Sequence, residues 1–229
     1  MKTQKAIGFI VLAGAGLFSL SLATRAWAAD MPDTADAAEM AEMADMAYTN
    51  KLVDTCTQCH QRDGDSDDPN MPIIGGYSAA YIISSMTAYK NEVRSCPEIE
   101  YISDHKKVEK TDMCRISKEL SEDDIAKLAQ YYASKRFRRA NQSFDLELAR
   151  KGQLIHERDC EKCHSEGGNL ASDDAGILAG QWMPYLKQQF FAFYAEKRQL
   201  DKKMKPKFNK LDKTEIEALL NFYASRGGL

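Results

Sequence analysis

Two five-residue stretches carry the residues best suited to chemistry: Cys56-Thr57-Gln58-Cys59-His60 and Cys160-Glu161-Lys162-Cys163-His164. Both read C-x-x-C-H. Two thiols at this spacing add across the two vinyl groups of one porphyrin, and the histidine that follows is then held under the iron as its proximal ligand. A C-x-x-C pair alone fits a redox dithiol, half a zinc site or a disulfide. The adjacent histidine, present twice, selects covalent attachment of haem c at Cys56 and Cys59 and at Cys160 and Cys163, with His60 and His164 on the irons.

Each iron then needs a sixth ligand or an open position. A thioether suits electron transfer, because methionine ligation raises the potential. The chain has ten methionines, and in general a methionine is more often core or surface filler than a ligand. Two are singled out by placement: Met113 stands 19 residues before Tyr132, and Met204 stands 19 before Tyr223. Met86 falls at an apolar helical spacing, Met71 has Ala175 as its counterpart, and Met183 adjoins Trp182 as packing. His105 has no counterpart and is the alternative to Met113, although a solvated loop histidine is the plainer reading. His156, four residues before Cys160, reads as surface or structural.

The elements that must position these groups come in two copies. Cys56 to Gly76 and Cys160 to Gly180 are both 20 residues, and Cys56 to Tyr81 and Cys160 to Tyr185 are both 25. Both copies close on Tyr-Ala-Ser, at Tyr132-Ala133-Ser134 and Tyr223-Ala224-Ser225. This is a tandem duplication of one haem-binding unit. The copies diverge between Tyr81 and Met113, 32 residues against the 19 from Tyr185 to Met204.

Each copy reads as short helices. Ser121 with Asp124 makes a near capping box, after which Ile125, Leu128, Ala129 and Tyr132 form one apolar face. Asp212 with Glu215 repeats it before Ile216, Leu219, Leu220 and Tyr223. Further helices are expected near 43–55 and 144–158, before each haem motif, and near 78–91 and 184–197, after each glycine. No strand signal stands out. The expected organisation is a signal peptide at 1–28, an acidic Ala-rich tail at 29–40, a first domain at 41–136 with an insertion at about 91–112, a polar linker at 137–143 and a second domain at 144–229. Domains this small have thin cores, so the haem must supply apolar mass.

Two cysteines remain, Cys96 and Cys114, flanking most of the insertion. A disulfide between them would close a loop of about 18 residues and contribute about 3 kcal/mol by the loop-entropy model. The alternative makes Cys114, next to Met113, an iron ligand whose thiolate would depress the potential.

Lys2 and Lys5 precede an apolar run at 6–23, and Ala26-Trp27-Ala28 offers a small-residue cleavage site. This is a secretory signal, with a retained membrane anchor as the alternative. Export to a periplasm suits covalent haem attachment and permits disulfides, and no other stretch could span a bilayer. The formal net charge of −3 becomes −6 once the signal and its three cations, Lys2, Lys5 and Arg25, are gone. That balance argues against nucleic acid as a partner. Cations crowd Met204 (Lys197, Arg198, Lys202, Lys203, Lys205, Lys207 and Lys210), whereas Asp63, Asp65, Asp67 and Asp68 follow the first motif. Such an asymmetry would steer different partners to the two ends; ordinary solvated surface is the plainer reading.

The paired halves with their closing Tyr-Ala-Ser helices resemble the diheme class I cytochromes of the c4 type. In the second half, "QSFDLELARKG", "CEKCHSEGG", "ILAGQWMPYL" and "KKMKPKFNKL" resemble the diheme cytochrome subunit of flavocytochrome c sulfide dehydrogenase. The resemblance implies an all-α fold of two tandem class I cytochrome c domains, each around one haem. It implies Met113 and Met204 as axial ligands beside His60 and His164, with 73–76 and 177–181 lining the haem crevices. It also implies a partner flavoprotein carrying FAD that oxidises sulfide, and a soluble acceptor such as a small cytochrome. The chain itself would do no bond chemistry. It has no strand followed by G-x-G-x-x-G, so any flavin belongs to another chain. A free-standing c4-type carrier serving a terminal oxidase shares the same residues; a diheme peroxidase or thiosulfate dehydrogenase would need an open or thiolate-ligated iron. Residues 95–112 depart from the family pattern.

Overall fold

The computed structural model describes residues 34–102 and 107–227. The signal peptide, the first part of the acidic tail and His105 lie outside the described residues. The described residues from 41 onward form one compact unit.

The first half runs α1 (Thr34–His60), α2 (Ala79–Lys90), α3 (Met113–Glu119) and α4 (Glu122–Ala133). The second runs α5 (Leu146–Asp159), the short turn α6 (Ser165–Gly168), α7 (Met183–Tyr194), α8 (Lys205–Phe208) and α9 (Lys213–Ser225). Side-chain caps start most of the longer ones. Ser78 accepts from Tyr81 N, and Asp145 accepts from Leu148 N. Both closing helices begin with a complete capping box, Ser121 with Asp124 and Asp212 with Glu215. Pro184 occupies the first turn of α7, where no amide partner is needed.

One element runs against expectation. The insertion contains an antiparallel hairpin, β1 (Ile99–Ile102) with β2 (Val108–Thr111), in the register Ile99↔Thr111 to Ile102↔Val108. Four-residue strands studded with Glu and Lys carry too little apolar alternation to be read from sequence. They are stabilised locally by Tyr101 Oη on Glu109 at 3.0 Å and by Lys110 between Glu98 and Glu100.

Two apolar cores form, one per half. The first gathers Val53, Ile82, Leu128, Ala129 and Tyr132; the second gathers Leu186, Phe190, Phe208, Leu219, Leu220 and Tyr223. In the second half α5 packs on α9 at Gly152, where any Cβ would run into the Ala218 carbonyl.

The segment at 137–143 is no loose tether. Phe137 stacks on Tyr77 at 5.9 Å, and the Ala140 amide donates to the Gly180 carbonyl at 2.7 Å. Beside it Gln181, fully buried, joins the halves. Its Oε1 accepts from Ile73 N at 3.0 Å, and its Nε2 donates to Ile73 O and Tyr77 Oη, both at 2.8 Å. A buried amide whose donors and acceptor are all used specifies one docking geometry.

Candidate haem-binding sites

In the first half the helix α1 runs through the motif to its last residue, His60. Cys56, Cys59 and His60 are then i, i+3 and i+4 on one helix, which puts both thiols and the imidazole on one face. In the second half α5 stops at Asp159, but the turn keeps the same geometry: the His164 amide donates to Cys160 O at 2.9 Å, as it would in a helix.

After each motif the chain reverses at a glycine with positive φ, Gly64 (+73°) and Gly168 (+82°). The carbonyl of each then anchors the following loop. Gly64 O accepts from Ile74 N and Gly75 N, and Gly168 O accepts from Leu178 N and Ala179 N. The next glycines, Gly76 and Gly180, donate to Tyr132 O and Tyr223 O, both at 2.8 Å. The repeat thus ties each motif, through its loop, to its closing helix.

His60 is buried, and its Nδ1 lies 3.0 Å from Pro72 O. A carbonyl only accepts, so Nδ1 carries the proton and Nε2 is left with its lone pair for a metal. Burial holds the His60 pKa below its ordinary value, against the Pro72 hydrogen bond, and keeps the ring neutral. Burial likewise lowers His164. Burial pushes Cys56 and Cys160 up to about 11, so as free thiols they would be protonated and slow as redox dithiols. The chemistry of the donor set therefore fits thioether attachment.

Cys160, Cys163, His164 and Met204 all line one cavity of about 830 Å³. Met204 is half-buried at the start of α8, its carbonyl accepting from Lys207 N and Phe208 N. Met113 is the first residue of α3, after the N-cap Asp112. Met86 packs on the first core with its sulfur 3.9 Å from Ser117 Oγ, and Met183 packs on the second core. Cys96 and Cys114 are joined by a disulfide with Cα atoms 5.8 Å apart, which removes the Cys114 sulfur from service as a thiolate.

A family model, cytochrome c, matches residues 46–134. Cytochrome c-554(548) of Halomonas halodenitrificans is 33% identical over 82 residues, 36% of this chain and 86% of that protein. The chain belongs to the cytochrome c family. Within it the chain is c4-like. Cytochrome c4 of Pseudomonas aeruginosa is 27% identical over 179 residues, 73% of this chain and 81% of the relative. The structure of reduced recombinant cytochrome c4 from Pseudomonas stutzeri superposes with a TM-score of 0.62 at 23% identity, over 78% of this chain and 96% of that one, and so shares the fold. The chain is thus a diheme electron-transfer protein with two covalently bound haem c groups. No helix among the described residues is long and apolar enough to cross a membrane.

The structure also brings in residues that reasoning from sequence passed over. His156 is not at the surface but fully buried, a structural residue. Its Nε2 faces Glu161 Oε2 at 2.7 Å and His164 O at 3.0 Å, both acceptors, so Nε2 carries the proton. Nδ1 then accepts from Tyr223 Oη at 2.9 Å. The peptide of the second motif's histidine is held from behind by this chain of contacts. Arg94 carries no reading from sequence, and Arg198 enters only among the cations around Met204, although both stand 38 residues after the first cysteine of their motif.

Proposed function

We propose that the chain is the haem-bearing electron relay of a sulfide-oxidising flavoprotein, working in the periplasm after removal of residues 1–28. The observation that carries the reading is that the second-half stretches resembling such a subunit are those that build the second site. They supply Cys160 to His164, the 177–181 loop with Gln181 at the interface, and Met204.

When bound, each haem supplies one-electron chemistry at its iron. Cys56 and Cys59 would hold the first covalently and Cys160 and Cys163 the second. His60 with Met113, and His164 with Met204, would be the protein groups that hold the two irons, which fits a relay. Buried side chains around each motif exclude water and keep the surroundings rigid. The electrons would come from the flavin of a separate chain and leave to a soluble acceptor such as a small cytochrome.

Charge supports a docking edge at the second site. Lys202, Lys203, Lys205, Lys207 and Lys210 are exposed beside Met204, and of these only Lys207 forms an ion pair among the described residues. The acidic run after the first motif is partly neutralised, Asp63 by Lys135 and Asp65 by Arg138. An acidic partner is therefore steered to the second site.

A second reading, a free c4-type carrier serving a terminal oxidase, is favoured by the alignment with cytochrome c4 over most of both chains. Native purification separates the two. Co-purification with a larger flavin-bearing chain, and reduction of the haems by added sulfide, is the result expected of the subunit. A single haem-bearing chain indifferent to sulfide would leave the free carrier.

A further inference from the structure

The haem motifs leave over Cys96 and Cys114, and the disulfide between them has no counterpart in the second half, where Leu200 and Lys205 stand at the equivalent positions. Its two ends lie at places that matter. Cys114 directly follows Met113, the candidate ligand of the first iron. Cys96 closes a stretch that is fastened to the second half: Arg94 and Arg198 pair as an antiparallel bridge, and the Ser95 amide donates to Lys197 O at 2.8 Å. The disulfide therefore sets Arg94, two residues before Cys96, near Met113, the residue before Cys114.

The helix that Met113 begins is seated mainly from its far end. Ser117 is fully buried, Lys118 pairs with Glu92, and Lys90 Nζ donates to Leu120 O. At the near end Asp112 accepts from Arg115 N, and Ser117 Oγ donates to Met113 O at 2.6 Å, both within the helix and its cap. Arg115 also reaches Glu98 at 3.7 Å, but both side chains are largely exposed, and such a pair holds little. Opening the disulfide would release the Met113 end while the rest of α3 stays in place.

The bond is open to attack. It lies on a cavity of about 450 Å³ lined also by Glu92, Arg94, Ser95, Asp112, Arg115 and Lys118. A cavity of that size takes a small molecule. Cys96 is partly exposed and Cys114 is buried, so an entering nucleophile meets the Cys96 sulfur, and Cys114 is the leaving group. The charges of the wall are balanced, Arg115 lying 3.0 Å from Asp112 and Lys118 pairing with Glu92. An incoming thiolate is not turned away by a wall of one negative sign.

We propose that Cys96–Cys114 is an exchange site for small thiols, and that its opening withdraws Met113 from the first iron. A thiolate attacks Cys96 Sγ and bonds to it; the Cys96–Cys114 bond breaks, and Cys114 leaves as a thiolate. A second thiolate attacks the sulfur of the first and frees Cys96. Two thiols are thereby oxidised to one small-molecule disulfide, the protein's disulfide is reduced, and the two thiol protons end on Cys96 and Cys114. Loss of the thioether lowers the first potential. The second site has no such bond and keeps Met204, so the switch acts on one haem of the two. The inference rests on Met113 as a ligand and not on the identity of the electron donor.

The test uses the full chain with both haems attached. It is incubated with cysteine or, in parallel, with sodium sulfide; free thiols are capped with iodoacetamide, small molecules are removed, and the irons are reoxidised with ferricyanide. Peptide mass mapping is expected to find Cys96 and Cys114 capped, with half of the methionine-to-ferric-iron absorption lost and one midpoint lowered. Capping by either reagent supports the site, and the reagent that acts names the source of the thiol. A folded chain left uncapped by both overturns the exchange site. Capping with the full absorption retained overturns the link to Met113. Cys96→Ser with Cys114→Ser should show the same half loss without any thiol. If that variant fails to mature, the capped wild type decides, because its haems are already in place. An untreated wild type with only half the absorption of two methionine-ligated haems would strike the ligand assignment, and the switch with it.

Discussion

In the second half Gly152 lets α5 lie directly on α9; at the equivalent place in the first half stands Tyr48, whose hydroxyl reaches out to Asp124 at 2.8 Å. The same exchange of means recurs around the histidines. His60 is held by its ring, through Pro72 O. At the position of Pro72 the second half has Gly176, and among the described residues the His164 ring has no comparable hydrogen bond; its peptide is held instead by His156. The first half spends a disulfide-closed insertion where the second has a short basic loop. What duplication has kept are the thiols and histidine of each motif, two glycines that fold the following loop back, a methionine and a closing tyrosine. The supports behind them have been free to diverge, so equal sites rest on unequal foundations.

That comparison can be broken most sharply at the methionines. Met204→Ala and Met113→Ala should each abolish half of the methionine-to-ferric-iron absorption and lower one midpoint by on the order of 0.1 V or more. A variant that keeps the full band removes its methionine from the ligand set. Next comes the helix crossing. Gly152→Ala forces a methyl group against the Ala218 carbonyl and should cost about 1–3 kcal/mol or more in chemical denaturation. Tyr48→Ala loses one hydrogen bond at a largely exposed position and should cost about 1 kcal/mol. Equal costs would mean that the crossings are equivalent after all. The disulfide belongs to the first half alone. Cys96→Ser with Cys114→Ser should cost about 3 kcal/mol by loop entropy, read as a shifted denaturation midpoint that reductant reproduces in the wild type. An unshifted midpoint would show that the hairpin and the Arg94 bridge hold the insertion without it.

Much of this was legible before any coordinates, because the repeat makes one half a control for the other. The capping boxes at Ser121 and Asp212 and the apolar faces behind them are local signals, and they mark real helix starts. Helix ends were harder. Nothing in Cys-Thr-Gln-Cys-His forbids helix, so α1 continues to His60, whereas α5 ends at Asp159 before a similar motif. The non-local contacts were out of reach. Arg94 shows no local sign of burial because its partner Tyr185 is 91 positions away, and the choice between surface and structural for His156 stays open locally because Tyr223 is 67 away. A polar side chain becomes buried when distant partners satisfy it, and sequence spacing within one half does not display those partners. The 38-residue spacing of both arginines from their motifs did display one, across the repeat.

The smallest effect is also the most discriminating between the halves. Tyr132 and Tyr223 occupy the same place, close the same kind of helix and accept from the equivalent glycine through the backbone. Their hydroxyls differ. Tyr223 Oη donates to His156 Nδ1, while in the first half Leu52 stands where His156 would be. The buried Tyr132 Oη has no partner in hydrogen-bonding geometry among the described residues, only the Cys56 sulfur beside it. Removing a satisfied hydroxyl strands its acceptor, whereas removing an unsatisfied one relieves a desolvated dipole. Tyr223→Phe should therefore cost about 1–2 kcal/mol, and Tyr132→Phe should be neutral or stabilise by a few tenths of a kcal/mol. Both are read from denaturation midpoints of the haem-loaded chain. Equal costs would mean that the first hydroxyl has found a partner that only the assembled site supplies.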